Sequence, residues 1–364
     1  VKGRHALVLG IGIGALAVIA LGALAGSVVL KPPVKTAGSA PSPSPSPSIE
    51  PSPEASPATT PVSGGAMVYD PESHGVILFG GTRLIHQPDG TNLGQAVADT
   101  WLWDGKAWKR LDVQGPPARS AEMAAYDSVR HQVVLFGGAG DPYLLQDTWS
   151  WDGSRWTEQH PTHMPNPRMR AAIAFDERRG VVVMFGGEGD GTTTYNATWT
   201  WDGADWTLQE PATSPPGRHF ATMAYDAAHG DTVLFGGSMA GARFNDTWTW
   251  DGSNWTSRPD TAPAARGWST LAYDTARQQV VAYVYFSLDN NPVVEYTITW
   301  DGRTWTDRTS PGDPSPRAQT LMADDPETNQ VVLFGGSLVS LSPYDETWTW
   351  DGQNWSLWGR AGAE

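Results

Sequence analysis

Asp147-Thr148-Trp149-Ser150-Trp151-Asp152-Gly153-Ser154-Arg155-Trp156 is the stretch whose reading decides the fold. Hydroxyl and indole side chains alternate with period 2, so on a strand Trp149 and Trp151 share one face. Asp152-Gly153 then marks a tight hairpin, because glycine adopts positive φ at no steric cost. Trp156 opens a second strand. The same pattern returns along the chain: its second Trp recurs at Trp103, Trp151, Trp201, Trp250, Trp300 and Trp350, with spacings of 48, 50, 49, 50 and 50 residues. Its last Trp follows five residues later each time, at Trp108, Trp156, Trp206, Trp255, Trp305 and Trp355. A fixed period near 50 is the signature of a repeat architecture.

Working outward, each hairpin is preceded by a Val-rich run ending Phe-Gly-Gly, at Phe79, Phe136, Phe185, Phe235 and Phe334. Before that run stands an aromatic-Asp pair, at Tyr69, Tyr126, Phe175, Tyr225 and Tyr273. Each unit therefore reads as four short strands: A (such as Ala121 to Tyr126), B (Gln132 to Phe136), C (Thr148 to Trp151) and D from Trp156. Strand B is continuously apolar, as expected of a strand covered on both faces. Such units cannot bury both faces alone. Six of them are expected to close into a ring, an all-β, six-bladed β-propeller over residues 65–364. Seventeen of the 19 Trp fall on the repeat and supply the inter-blade packing. Blade 1 is expected to close on blade 6 near Trp355 and Trp358, with no exchanged strand.

The unit Pro117-Ala118-Arg119-Ser120, Tyr126-Asp127, Val133-Val134-Leu135-Phe136-Gly137-Gly138 and Asp147 to Trp156 resembles a kelch repeat. It is similar to the Trp-rich bacterial form and to the propeller of galactose oxidase, over about residues 65–358. The resemblance implies a propeller fold and is nearly silent on function. The copper cofactor of that oxidase needs a Tyr linked to Cys; this chain has no Cys. No cofactor or metal is expected. Three units depart from the pattern. The first has Val62 in place of Arg, and the fifth has Tyr283-Val284-Tyr285 for Phe-Gly-Gly and Ile298 for the first Trp. The sixth has Asp324 for the aromatic. The fifth unit is expected to leave strand B in a distorted way.

Catalytic motifs are missing: there is no Gly-x-Ser-x-Gly, Walker loop or His-Glu-x-x-His. His160 and His163 are a weak metal pair, and Glu188-Gly189-Asp190-Gly191 lacks regular oxygen-ligand spacing. One constellation remains. Arg119, Arg168, Arg218, Arg266 and Arg317 each stand seven residues before the aromatic-Asp position. By resemblance to kelch propellers that capture acidic peptides, they would ring one mouth of the central channel and grip carboxylates. The other reading makes them structural, bonded to neighbouring carbonyls or acids. The B–C loops, of 17, 8, 9, 8, 10 and 9 residues, should share that face and carry Tyr143, Tyr195, Phe244 and Tyr344, with His86 in the first. These arginines and aromatics are the candidate ligand-binding residues, for a protein, peptide or glycan. The competing reading is a carbohydrate-active enzyme of the galactose oxidase-like group. It would need a carboxylate pair in adjacent B–C loops, and only Glu188 and Asp190 offer themselves.

Ahead of the repeats, residues 1–5 carry Lys2 and Arg4, and residues 6–30 form an uncharged apolar run of 25. That length spans a bilayer, with the amino terminus in the cytoplasm. Cleavage of a signal peptide near Ala25, giving a secreted chain, is the alternative. Residues 31–64 read as a Pro/Ser-rich disordered linker, stiff and extended at about 3.1 Å per residue. A membrane-anchored propeller outside the cytoplasm follows as the expectation. The net charge is −15, and residues 65–364 carry about −17 of it, which makes nucleic acid a poor partner.

Overall fold

The structure is a computed structural model that describes residues 62–258, 268–286, 294–338 and 343–360. The expected membrane-spanning run and nearly all of the linker fall outside these residues, as does Arg266. Among the described residues the only helical element is the 3-10 turn Pro71–Ser73, and no helix is long and apolar enough to cross a membrane.

The repeats form six antiparallel four-stranded sheets, each built from one unit in the order A-B-C-D. Blade 2, for example, comprises Met123–Asp127, Gln132–Ala139, Leu144–Trp151 and Trp156–Gln159. Blade 1 comprises Ala66–Asp70, Gly75–Phe79, Thr100–Trp103 and Trp108–Leu111. Strand A of every blade packs against strand A of both neighbours, blade 6 against blade 1 included, so the circle is closed. The protein is a six-bladed β-propeller.

Indoles lock the seams. The last Trp of each unit donates its Nε1–H to the strand C threonine of the preceding blade. Trp156 reaches Thr100 Oγ1 at 3.0 Å, Trp206 reaches Thr148 at 2.9 Å, Trp255 reaches Thr198 at 2.9 Å, Trp305 reaches Thr247 at 2.8 Å and Trp355 reaches Thr297 at 2.9 Å. Trp108 closes the ring on Thr347 at 3.0 Å. The Thr-Trp alternation therefore joins each blade to both neighbours: the threonine faces the next blade's indole while its neighbouring Trp packs into the core shared with the blade before. Each locking Trp also meets the strand B ring of the preceding blade, as in Phe136–Trp206 (5.2 Å) and Phe334–Trp108 (4.9 Å).

Closure differs from the sequence expectation in one respect. Trp358 does reach blade 1, through Lys106 O at 3.1 Å and an edge-on contact with Trp103. Trp355, however, bonds blade 5, and Trp108 makes the seam. The reason is directional: every locking indole points to the blade before it, so the last one in the chain cannot also reach the first blade.

The Asp-Gly hairpin is a four-residue loop, since Trp151 pairs with Trp156. Asp152 Oδ1 accepts from the backbone N–H groups of Ser154 (3.0 Å) and Arg155 (2.9 Å). In the equivalent loop of blade 3 the N–H groups of Asp205 and Ala204 hold the Asp202 carboxyl below the usual range. Glycine suits this turn by its backbone. Gly203 has φ 98°, and a Cβ on it would fall on the Arg130 guanidinium of blade 2. Blade 5 shows no distorted exit. Strand B runs on as Gln279–Phe286, paired with Trp268–Asp274 on one side and in unbroken register with Val294–Trp300 on the other, whereas in blade 2 the register shifts at Gly137-Gly138.

Candidate functional site

Two cavities lie along the channel. One, of about 380 Å³, is lined by the later residues of the A strands, including Tyr69, Tyr126, Phe175, Tyr225 and Tyr273. The tyrosines bind the ring together at that end: Tyr225 accepts from Arg178 N (3.2 Å) and Tyr273 from Ala228 N (3.1 Å), each in the blade before. Asp324, standing where an aromatic is expected, takes over the same contact by accepting from Thr275 N at 3.3 Å. Burial raises its carboxyl to about 6.

The other cavity, of about 220 Å³, is lined by the early A-strand residues: Gly65, Glu122, Ala171, Ala221, Ser269 and Thr320 stand at equivalent positions round it. Five are small and the sixth is Glu122, buried, with neither carboxylate oxygen bonded. Burial pushes its pKa up to about 8, against the pull of Arg119 and nearby backbone N–H groups. One residue earlier in each unit, the chain forms a collar. Gly64 N–H bonds to Gln319 O, Ala121 to Gly64, Arg170 to Ala121 and Phe220 to Arg170. Ala121, Arg170, Phe220 and Gln319 are all held at φ between 55° and 57°. Left-handed backbone is disfavoured for residues with a Cβ, so the interblade bonds over-determine it.

The B–C loops share this end, as expected, because the residue after each arginine bridges to the start of its B–C loop: Ser120 to Ala139, Met169 to Glu188, His219 to Ser238 and Ala318 to Ser337. The arginines themselves are placed differently from a channel crown. Arg119, Arg168, Arg218 and Arg317 have essentially no exposed surface. In each, Nε donates to the carbonyl two residues back, as from Arg119 to Pro117 O (3.0 Å), and Nη1 donates to the first carbonyl of the Gly-Gly pair, as to Gly137 O (3.0 Å). Three also meet an acid just ahead of the Thr of strand C. Arg119 pairs with Asp147 through two bonds of 2.7 Å, Arg218 with Asp246 at 2.6 and 2.9 Å, and Arg317 with Glu346 at 2.6 Å. These guanidinium groups clip strand A to the B–C corner of their own blade.

Three of the candidate loop aromatics lie on those same arginines. Tyr195 covers Arg168 at 4.1 Å, Phe244 covers Arg218 at 4.2 Å and Tyr344 covers Arg317 at 3.9 Å from ring centre to guanidinium carbon. Tyr143 has no such partner and is 77% exposed. The long first loop folds into its own exposed hairpin, Thr82–His86 against Asn92–Ala96. Glu188 is engaged by Arg170 at 2.7 Å. Among the described residues no three His, Asp or Glu side chains gather closely enough to hold a metal ion.

A run of aromatic and cationic side chains beside the collar is one the sequence reading passed over. On the blade 3 to blade 5 side of the collar, Arg170 lies over Phe220 (4.5 Å), Phe220 tilts against Trp268 (5.4 Å), and Trp268 stacks on Tyr285 at 5.7 Å and 9°. Trp268 and Tyr285 line a small notch together with Ser238 and Arg243. Blades 1 and 2 carry Gly64 and Ala121 where this side carries Arg170, Phe220 and Trp268. No protein-family model matches the chain, and no curated protein matches it.

Proposed function

We propose that this propeller is a binding module that takes a protein, peptide or glycan on the B–C loop face, at the aromatic side of the collar. One observation carries the reading: the step from Arg170 through Phe220 and Trp268 to Tyr285 breaks the sixfold symmetry with four large π or cationic groups in contact. Tryptophan and tyrosine supply large contact area at low entropic cost, and arginine anchors polar ligands beside them. The kelch-like repeat supports a scaffold role, and the apolar run at 6–30 supports a place outside the cytoplasm on a membrane anchor, with cleavage and secretion as the alternative. The test is to probe the full chain on glycan and peptide arrays, beside Trp268→Ala, Phe220→Ala and, on the opposite face, Tyr126→Phe. Binding lost in the first two and kept in the third is the expected result; equal binding by all four overturns the assignment of this face.

The enzymatic reading has Glu122 in its favour, a carboxyl carried to about 8 beside a cavity. Glycoside hydrolysis by the usual route needs two carboxyl groups across the scissile bond. Glu188 is already held by Arg170, and binding remains the better account.

A further inference from the structure

Blade 3 departs from blades 2, 4 and 6 at the residue ahead of its strand C threonine. In blade 2 a single oxygen, Asp147 Oδ2, accepts from Arg119 Nη2 at 2.7 Å and from Trp149 Nε1 at 2.7 Å. In blade 4 Asp246 Oδ2 accepts from Arg218 Nη2 at 2.9 Å and Trp248 Nε1 at 2.7 Å. Blade 6 repeats the arrangement with Glu346 Oε2, at 2.6 Å from Arg317 Nη2 and 3.0 Å from Trp348 Nε1.

Blade 3 keeps both donors and loses the acceptor. Arg168 is 1% exposed, and its Nε and Nη1 bond Asn166 O (3.0 Å) and Gly186 O (2.9 Å) as in its counterparts. The residue ahead of Thr198, however, is Ala197. Among the described residues the hydrogen bonds of Arg168 are those of Nε and Nη1, and the buried Trp199 Nε1 has no partner. Strands B and C pair in the same register as in blades 2 and 4: Phe185 faces Thr198 as Phe136 faces Thr148 and Phe235 faces Thr247. The two donors therefore converge on one point. Burial without a counter-ion lowers the Arg168 pKa to about 10. The point is open to a visitor, since the carboxylates that occupy it in blades 2 and 4 are 22% and 31% exposed.

We propose that the notch beside Ala197 is a binding site for an exogenous carboxylate, held by Arg168 Nη2 and Trp199 Nε1 under the ring of Tyr195. A buried indole N–H with no acceptor and a guanidinium with no counter-ion favour an incoming carboxylate, which adds a charge-assisted bond. The site is independent of the aromatic rim, so Trp268→Ala leaves it intact. The probe is sodium formate on the full chain, with sodium chloride at matched ionic strength as the control. The wild type should show an upward Tm shift that saturates with formate, as mass action requires of a site present only in the folded state. Ala197→Asp should raise Tm without formate and abolish the response. Asp147→Ala, which opens the same place in blade 2, should add a second formate response. Acetate, an acidic peptide and a free uronic acid, run as separate arms, identify which carboxylate source fits. No formate effect beyond chloride, or an equal effect in Ala197→Asp, overturns the proposal.

Discussion

At the scale of single residues, the arginines show how one side chain type serves two purposes. A guanidinium bonded to two carbonyls and an acid is a structural clip, and removing it leaves a buried acceptor set without donors. Arg317→Ala removes the donors to Ser315 O and Gly335 O and one of the two cations on Glu346, leaving Arg360 and the Trp348 indole on that carboxylate, and is expected to cost about 1–3 kcal/mol by thermal or urea unfolding. A loss below about 1 kcal/mol would show that Arg317 is not a clip. Glu122 gives a prediction of opposite kind. Its folded pKa of about 8 lies above the model-compound 4.5, so the folded state holds the proton more tightly. The protein is stabilised by that group below pH 4.5 and loses this stability as pH rises through about 8. Glu122→Gln should remove that fall. The difference in Tm between variant and wild type, followed from pH 5 to 9, must grow in favour of the variant, and a flat difference contradicts the assignment.

At the scale of elements, the Thr-Trp alternation is the unit of assembly. Thr148→Val keeps the strand and its volume but leaves the Trp206 indole N–H buried without an acceptor, a loss of about 1–3 kcal/mol measurable as a lower Tm. Much of this was legible in the sequence, because period-2 alternation and a fixed Trp spacing follow directly from strand geometry. The Asp-Gly turn was legible too, although its four-residue length depends on Asp152 capping two N–H groups, which spacing alone does not reveal. The site was less legible. Seven residues before the aromatic-Asp pair locates an arginine but not its partner, and the partner lies 28 residues on, across strand B, at Asp147 or Asp246. The collar residues had a signal of their own: two positions after Val62 and each arginine the units read Gly64, Ala121, Arg170, Phe220, Trp268 and Gln319, a different residue in every unit. Sixfold regularity marks what holds the ring together; the side chains of the proposed binding face depart from it.

At the scale of the whole molecule, the seam between blades 6 and 1 uses the same bond as the internal seams. Trp108 meets Thr347 at 3.0 Å, and Trp206 meets Thr148 at 2.9 Å. A closed ring in which every interface is equivalent unfolds as one unit, since opening any seam exposes the flanks of two blades. Thr347→Val and Thr148→Val should therefore lower Tm by similar amounts in a single transition. A selective early transition in Thr347→Val, seen by calorimetry, would mark the seam as a weak point and contradict the equivalence.

The path of the chain through the ring has a practical consequence. Val62, where the polypeptide enters blade 1, bonds its carbonyl to Gly336 at the B–C corner of blade 6. Arg360, at the far end of the last strand, pairs with Glu346 at the start of strand C, again at a B–C corner. Entry and exit therefore lie on the same side as Phe220 and Trp268, while the six Asp-Gly hairpins project from the opposite side. A bulky group attached beside Val62 or Arg360 lies on the side of the aromatic rim; a dye or surface linkage placed on a hairpin leaves it free.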